Sequence, residues 1–154
     1  MDMTRSMNEQ IVETLYHEAM ELAEDVRGVF ARGFAVPDGE TTDVVRIALS
    51  IEGMRSTTRI MNLLAWLLNQ RAYFNGELSA HQLLRRNRLV DDRPSESLYL
   101  DALEPETRAL IAETERLHAR VARLDAEWRE QTGPADGAVH ALQDRIAGAF
   151  TATA

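Results

Sequence analysis

The segment from Ile60 to Leu68 constrains the fold most, because in a helix it would present apolar side chains in nearly every direction. A surface helix normally shows one apolar stripe about 100° wide. The segment is much shorter than the roughly 20 apolar residues that cross a membrane. Arg59 and Arg71 also bracket it. We therefore expect other protein elements to cover this helix on several sides.

Length and composition favour one cytoplasmic domain. The chain has 154 residues, which is enough to bury a core without disulfides or metals. It contains no cysteine, so disulfides, cysteine-based zinc sites, iron–sulfur clusters and thiol nucleophiles are excluded. Acidic residues interrupt the first 30 positions, where a signal peptide would need an apolar core. We expect no export signal and no membrane segment.

The charge is distributed unevenly along the chain. The net charge is −8 and the isoelectric point is near 5.0, so we expect no attraction to nucleic acid or to an anionic membrane. The segment from Arg71 to Arg93 nevertheless holds five arginines against three acids. A basic island therefore lies in an acidic protein.

Two long helices are predicted in the first half of the chain. Ser6 and Glu9 have the spacing of a capping box, which predicts a helix over 7–32 ending near Gly33. A second helix is expected from Thr41 or Thr42 to Asn75, before Gly76. The first half of this second helix is amphipathic, with its apolar residues on one side: Val44, Ile47, Ile51 and Met54.

The second half predicts a short helix, a connector and a third long helix. Ser79 and Gln82 form another plausible capping box, and residues 90–105 are mostly connector. Pro105 suits the first turn of the third helix. That helix carries apolar or small residues at alternating steps of four and three: Leu110, Thr114, Leu117, Val121, Leu124 and Trp128.

These elements predict an all-α fold, a three-helix bundle with a short extra helix between the second and third long helices. Residues 1–132 would form the bundle domain. Residues 133–154 would form a flexible tail, because they hold few large apolar side chains. Two neighbouring helices cannot easily cover a helix that is apolar on all sides, so we expect a homodimer. The residues assigned to its contact or to the core are Ile60, Leu64, Trp66 and Leu67.

The sequence offers no strong catalytic, cofactor or metal site. It has no nucleophile elbow, phosphate-binding glycine loop or dinucleotide fingerprint. Glu115 and His118 have the spacing found in di-iron bundles, but the second copy of that pair is missing. Pairs such as Glu52 with Arg55 and Arg59 are expected on a helix surface. We predict no cofactor, no metal and no enzymatic activity.

Two segments are candidates for partner binding. Arg85, Arg86 and Arg88, with Arg93, could contact an acidic protein surface, or could be solvated and paired with the neighbouring Asp91 and Asp92. Nucleic acid is a weaker alternative, because helix-turn-helix spacing and interleaved aromatic residues are both missing. In the tail, one face of a potential short helix could enter a partner's groove or could be a frayed end: Val139, Leu142, Ile146 and Phe150.

Three strings in the chain resemble a known family. They are TTRIMNLLAWLLNQRAYFNGELS from Thr57, RNRL from Arg86 and RLHARVARLDAEWRE from Arg116. Over roughly residues 40–130 the chain resembles the alphaproteobacterial family that includes RcdA, the regulator of CtrA degradation. The first of the three strings is the most specific.

The resemblance implies a cytoplasmic, dimeric three-helix bundle without catalytic activity. It implies an adaptor that helps deliver substrates such as CtrA to the ClpXP protease, with a flexible C-terminal tail that contributes to partner engagement. Two other hypotheses stay open. One is a small-molecule-binding or enzymatic bundle with a pocket beside the second helix. The other is a DNA-associated bundle, which predicts steeply salt-dependent binding.

Overall fold

The computed structural model describes residues 3–37, 39–132, 142–143 and 145–146, and the predicted all-α fold is confirmed. No strand occurs in these ranges. Three long helices pack against one another, and two short helices lie between the second and third of them. Between residues 3 and 132 the helices are α1 (Met3–Phe34), α2 (Asp43–Phe74), α3 (Ala80–Arg86), α4 (Ser97–Leu100) and α5 (Pro105–Gln131).

The start of α1 differs from the sequence prediction. The capping box predicted at Ser6 and Glu9 is wrong, because α1 already includes Met3 and both residues lie inside the helix. A tertiary contact holds this first turn. Arg5 Nη2 donates a hydrogen bond to the Phe74 carbonyl oxygen at 3.2 Å, and the guanidinium lies 5.1 Å from the ring centre of Tyr73. Arg5 therefore joins the first described turn of α1 to the end of α2.

α1 ends at Phe34, so the prediction that it ends near Gly33 is confirmed. Gly33 also permits a close approach between α1 and α2. A Cβ atom on Gly33 would lie 2.9 Å from Leu49 Cδ2, closer than real Cβ contacts allow. On α2, a Cβ on Gly53 would lie 3.0 Å from Phe30 Cδ1. A glycine of each helix thus packs against a large side chain of the other, Gly33 against Leu49 and Gly53 against Phe30.

Local sequence signals correctly predict where several helices begin or end. Thr42 caps α2, and its hydroxyl accepts a hydrogen bond from the Val45 N–H at 3.3 Å. After Phe74 the chain turns through Gly76, whose φ of 80° suits glycine. Ser79 and Gln82 form the predicted capping box of α3, and Pro105 begins α5. The four-residue α4 was not expected, because it lies within residues 90–105, which were predicted to form no regular helix.

The core lies where α1, α2 and α5 meet, and it covers most of the segment that is apolar on all sides. Trp66 is 2% exposed, Ile60 and Leu67 are also buried, and Leu64 is partly buried. The sequence assigned these four residues to the core or to a dimer contact, and the structure places them in or against the core of one chain. Met61 and Leu68 remain exposed on the other side of the same helix.

The buried side of α2 has an unexpected composition. Six of its buried positions follow alternating steps of four and three, and four of these six are polar: Glu52, Ser56, Arg59, Leu63, Trp66 and Gln70. We call the four polar members, Glu52, Ser56, Arg59 and Gln70, the polar seam. Glu52 and Arg59 were expected on the surface, but they are 0% and 1% exposed. The expectation of surface pairing is therefore wrong for both side chains.

Candidate protein-interaction surfaces

A line of apolar side chains faces solvent along α2, and we call it the apolar row. It consists of Ile47, Met54, Met61 and Leu68, which are spaced by seven residues and are all exposed. Met54 and Met61 at its centre are 67% and 64% exposed. At about 1.5 Å per residue, the row spans roughly 31 Å of helix. Seven-residue spacing keeps side chains on one side of a helix over this length.

Small side chains border the apolar row. Ser50, Thr57, Thr58 and Ala65 lie between its members and are exposed. Helices that carry small residues beside a line of larger ones can approach another helix closely. The amphipathic side predicted for the first half of α2 therefore exists, but most of it faces outward. Val44 is also exposed, and Ile51 is partly buried.

The segment from Asn87 to Glu96, which we call the connector, is held against α2 and α5 by buried polar groups. Asn87 Nδ2 donates to the Trp66 carbonyl oxygen at 3.0 Å, and Asn69 Nδ2 donates to Asn87 Oδ1 at 3.0 Å. Arg129 Nη2 donates to the Asn87 carbonyl oxygen at 2.6 Å. These bonds fix the exit of α3.

Asp125 on α5 organises the same region. One carboxylate oxygen accepts hydrogen bonds from Trp66 Nε1 and Arg129 Nε, both at 3.0 Å. The other oxygen accepts the Leu89 N–H at 3.2 Å. The Trp66 and Trp128 rings stack beside this group, with their centres 5.7 Å apart. A carboxylate in a buried site thus has three donors, which offsets its loss of water.

Arg59 holds the middle of the connector. Its Nε donates to Asp92 Oδ2 at 2.8 Å, and its Nη1 donates to Thr114 Oγ1 at 2.7 Å. Its Nη2 reaches the Arg93 carbonyl oxygen and the carboxylate of Glu115. Asp92 thus binds this buried guanidinium, so the alternative in which Asp92 pairs with the exposed arginines is wrong.

Glu115 and His118 serve the same connector. Glu115 Oε1 accepts the Ser95 N–H at 3.1 Å, and His118 Nε2 lies 2.9 Å from the Val90 carbonyl oxygen. No group of three or more histidine, aspartate or glutamate side chains that could hold a metal occurs in the described ranges. The glutamate–histidine spacing is therefore explained by contacts with the backbone of the connector.

At the end of the connector, Arg55 bridges two carboxylates. Its Nη1 donates to Glu52 Oε1 at 2.9 Å, and its Nη2 donates to Glu96 Oε1 at 2.7 Å. The hydrogen bond to Glu96 raises the pKa of Arg55 above its ordinary value. The second oxygen of Glu52 and the nearby Ser56 hydroxyl are buried without a partner among the described residues. The polar seam is therefore only partly satisfied.

The predicted basic site lies at the end of α3 and just beyond it. Arg85, Arg86 and Arg88, which we call the basic patch, are exposed, as is Arg93. Their side chains form no hydrogen bond or ion pair within the part of the chain that is described. Arg85 and Arg86 occupy the last turn of α3, where positive charge favours the helix. The patch is thus both compatible with the helix end and available to a partner.

The predicted tail site falls largely outside the described residues. Val139 and Phe150 are among the positions that are not described. Leu142 and Ile146 are helical and exposed.

A cavity of about 390 Å³ opens at the end of the bundle where α1, α2, α3 and α5 meet. Its walls include Gln70 and Phe74 of α2, Leu83 of α3 and Trp128 of α5. No local sequence pattern predicts this cavity, because four separate segments contribute to its walls. Its position beside α2 is the one that the alternative hypothesis of a small-molecule pocket expected.

The fold and its surfaces define a class of protein, an all-α bundle whose long second helix buries a polar seam and exposes an apolar row. None of the helices in the described ranges is long and apolar enough to cross a membrane. The chain belongs to a family described as proteins of unknown function, DUF1465, whose model matches residues 3–150. No curated protein and no solved structure matches the chain.

Proposed function

We propose that the protein is a non-enzymatic, homodimeric adaptor of the cytoplasm that brings protein substrates to a protease. By its resemblance to the family that includes RcdA, the protease would be ClpXP and the cargo a regulated protein such as CtrA. The observation that carries the proposal is the inverted polarity of α2. This helix turns charged and polar side chains inward and leaves a continuous apolar row in water.

The apolar row supports a contact with a second copy of the chain. Monomeric proteins seldom leave long apolar surfaces exposed without a role in binding. The midpoint of the row falls between Thr57 and Thr58, where the small side chains allow two α2 helices to approach closely. A two-fold axis at this point would bring each copy's Met54 near Met61 of the other. Both copies would then bury the same residues.

The basic patch supports a contact with an acidic partner. Its three guanidinium groups are free of internal partners among the described residues and project from a protein of net charge −8. Arginine forms bidentate hydrogen bonds with carboxylates, so an acidic segment of a protease component or cargo is the complementary surface. The patch lies at the end of α3 and just beyond it, and none of its residues belongs to the apolar row.

Sedimentation equilibrium at micromolar concentration tests the dimer. The wild-type chain should sediment at twice 17.3 kDa, and Met61→Glu should sediment at 17.3 kDa with unchanged helicity. Met20→Glu is the matched control, because it places the same charge at an exposed methionine of α1 and should leave the dimer intact. A monomeric wild-type chain would remove the basis of the proposal.

Recruitment is tested with purified ClpXP and CtrA. The wild-type chain should bind the protease machinery and accelerate degradation of the cargo. Replacement of Arg85, Arg86 and Arg88 by glutamine should lower recruitment severalfold without changing the mass in solution. Arg120→Gln and Arg27→Gln, on other surfaces, are the controls. Absence of binding to ClpXP would contradict the adaptor role, and tight, steeply salt-dependent binding to DNA would favour the DNA-associated alternative.

A further inference from the structure

The cavity at the end of the bundle contains an unusual polar group. Gln70 lines this cavity and is 6% exposed. Its side-chain amide makes no hydrogen bond with any described residue. Its amide atoms are not among the fully enclosed polar atoms that lack a partner, so they open into the cavity. The cavity therefore holds a donor and an acceptor that the protein itself does not use.

The other buried polar groups beside the cavity are already engaged. Asp125 accepts from Trp66, Leu89 and Arg129. Arg129 also donates to the carbonyl oxygens of Leu84 and Asn87. The charges of Asp125 and Arg129 in the cavity wall thus neutralise each other. Gln70 is the buried group left to recognise a ligand, and the recognition it offers is that of a neutral amide.

The remaining walls are apolar or aromatic. Phe74, Leu83 and Trp128 line the cavity from three different helices. Asn8 on α1 adds a second, partly buried amide, and Arg5 lies at the rim, where it contacts Tyr73 and Phe74. A volume of about 390 Å³ is within the range of ligand pockets in proteins.

From these walls we infer that the cavity binds a neutral ligand in which a carboxamide stands next to an aromatic or branched apolar group. The amide would donate to the Gln70 side-chain oxygen and accept from its nitrogen, while the apolar group packs between Phe74, Leu83 and Trp128. A peptide segment and a small amide compound share this chemistry. The inference does not depend on the adaptor role, since neither the apolar row nor the basic patch contributes to the cavity.

Three small probes separate the two parts of this recognition. N-acetyl-phenylalaninamide carries both groups, N-acetyl-glycinamide carries only the amide, and ethylbenzene carries only the ring. Binding to the full chain is followed by the indole N–H signal of Trp128 in ¹H–¹⁵N spectra, since the chain has only two tryptophans. The protein should bind N-acetyl-phenylalaninamide, a ligand of small size, with a dissociation constant on the order of 1 mM. N-acetyl-glycinamide and ethylbenzene should each bind at least about tenfold more weakly.

Gln70→Leu tests the role of the buried amide. It should weaken binding of N-acetyl-phenylalaninamide about tenfold and leave the fold intact, because the amide has no internal partner to lose. Gln10→Leu is the matched control, because Gln10 lies on α1 outside this cavity and the change should leave binding unaltered. Ala80→Phe, which fills the cavity from α3, should abolish binding in a second, independent way.

The outcomes are distinct. Equal binding of ethylbenzene and N-acetyl-phenylalaninamide, with no effect of Gln70→Leu, would overturn the inference and leave only an apolar cavity. So would a lack of saturable shifts up to the solubility limit of the probes. Tighter binding of a blocked Ala-Phe-Ala tripeptide would support a peptide as the source of the amide, and equal binding would support a small amide compound.

Discussion

The apolar row and the polar seam run along opposite sides of one helix, and their environments are the reverse of what their side chains suggest. Met54 and Met61 of the row lie in water, whereas Glu52 and Arg59 of the seam are fully buried. Arg59 is stable inside because the connector and α5 bring hydrogen-bond partners to it, and Glu52 pairs with Arg55 of the same helix. The row is exposed because no element among the described residues covers it. Which side of α2 faces inward is thus decided by available partners as much as by hydrophobicity.

The largest effect is expected at the apolar end of the buried side, at Trp66. Trp66→Ala removes a large side chain from the core and leaves Asp125 without one of its donors. We expect the free energy of unfolding to fall by about 3–5 kcal/mol. Urea unfolding followed by circular dichroism measures this change. Met20→Ala, at an exposed site of α1, should stay within about 0.5 kcal/mol of wild type.

A smaller loss is expected when the seam's charge is removed. Arg59→Leu leaves Asp92, Glu115 and Thr114 without their buried donor. Breaking a buried ion pair costs about 3–5 kcal/mol, and the partial exposure of the two carboxylates lowers our expectation to about 2–3 kcal/mol. Arg88→Leu, which removes an exposed arginine of the basic patch, is the control. Equal stability of the two variants would show that the connector is not held by Arg59.

The smallest effect has the opposite sign. The Ser56 hydroxyl is buried in the seam and has no partner among the described residues. Ser56→Ala removes this unsatisfied group and should raise the free energy of unfolding by about 1 kcal/mol. Ser50→Ala, at an exposed position of the same helix, should change it by less than about 0.5 kcal/mol. Destabilisation by Ser56→Ala would mean that the hydroxyl is hydrogen-bonded in solution.

The sequence predicts the parts of this fold that depend on neighbouring residues. Thr42, Ser79 and Pro105 mark helix starts through contacts within one turn, so each is recognisable locally. The start of α1 depends instead on Arg5 reaching Phe74, which is 69 residues away. No local pattern contains that contact, and the capping spacing at Ser6 was therefore misleading.

The interaction surfaces are predicted less well, for the same reason. Arg85, Arg86 and Arg88 were recognised because they are close in sequence, and all three are exposed. The apolar row was not distinguished from the core, because Ile60 and Met61 are equally apolar and only tertiary packing separates them. A pocket beside the second helix was one open hypothesis, but the residues around Gln70 that form it were not predicted, since they come from four helices.

The most direct test of the apolar row as an interface between copies uses a single introduced thiol. The chain has no cysteine, so Thr57→Cys places one thiol at the midpoint of the row. With a short bismaleimide at micromolar concentration, this variant should form a species of twice 17.3 kDa. Ser56→Cys, one residue away in the buried seam, should remain at 17.3 kDa, as should Thr57→Cys combined with Met61→Glu. A Thr57→Cys chain that stays entirely at 17.3 kDa would contradict the proposed dimer, and with it our explanation of why α2 exposes its apolar side.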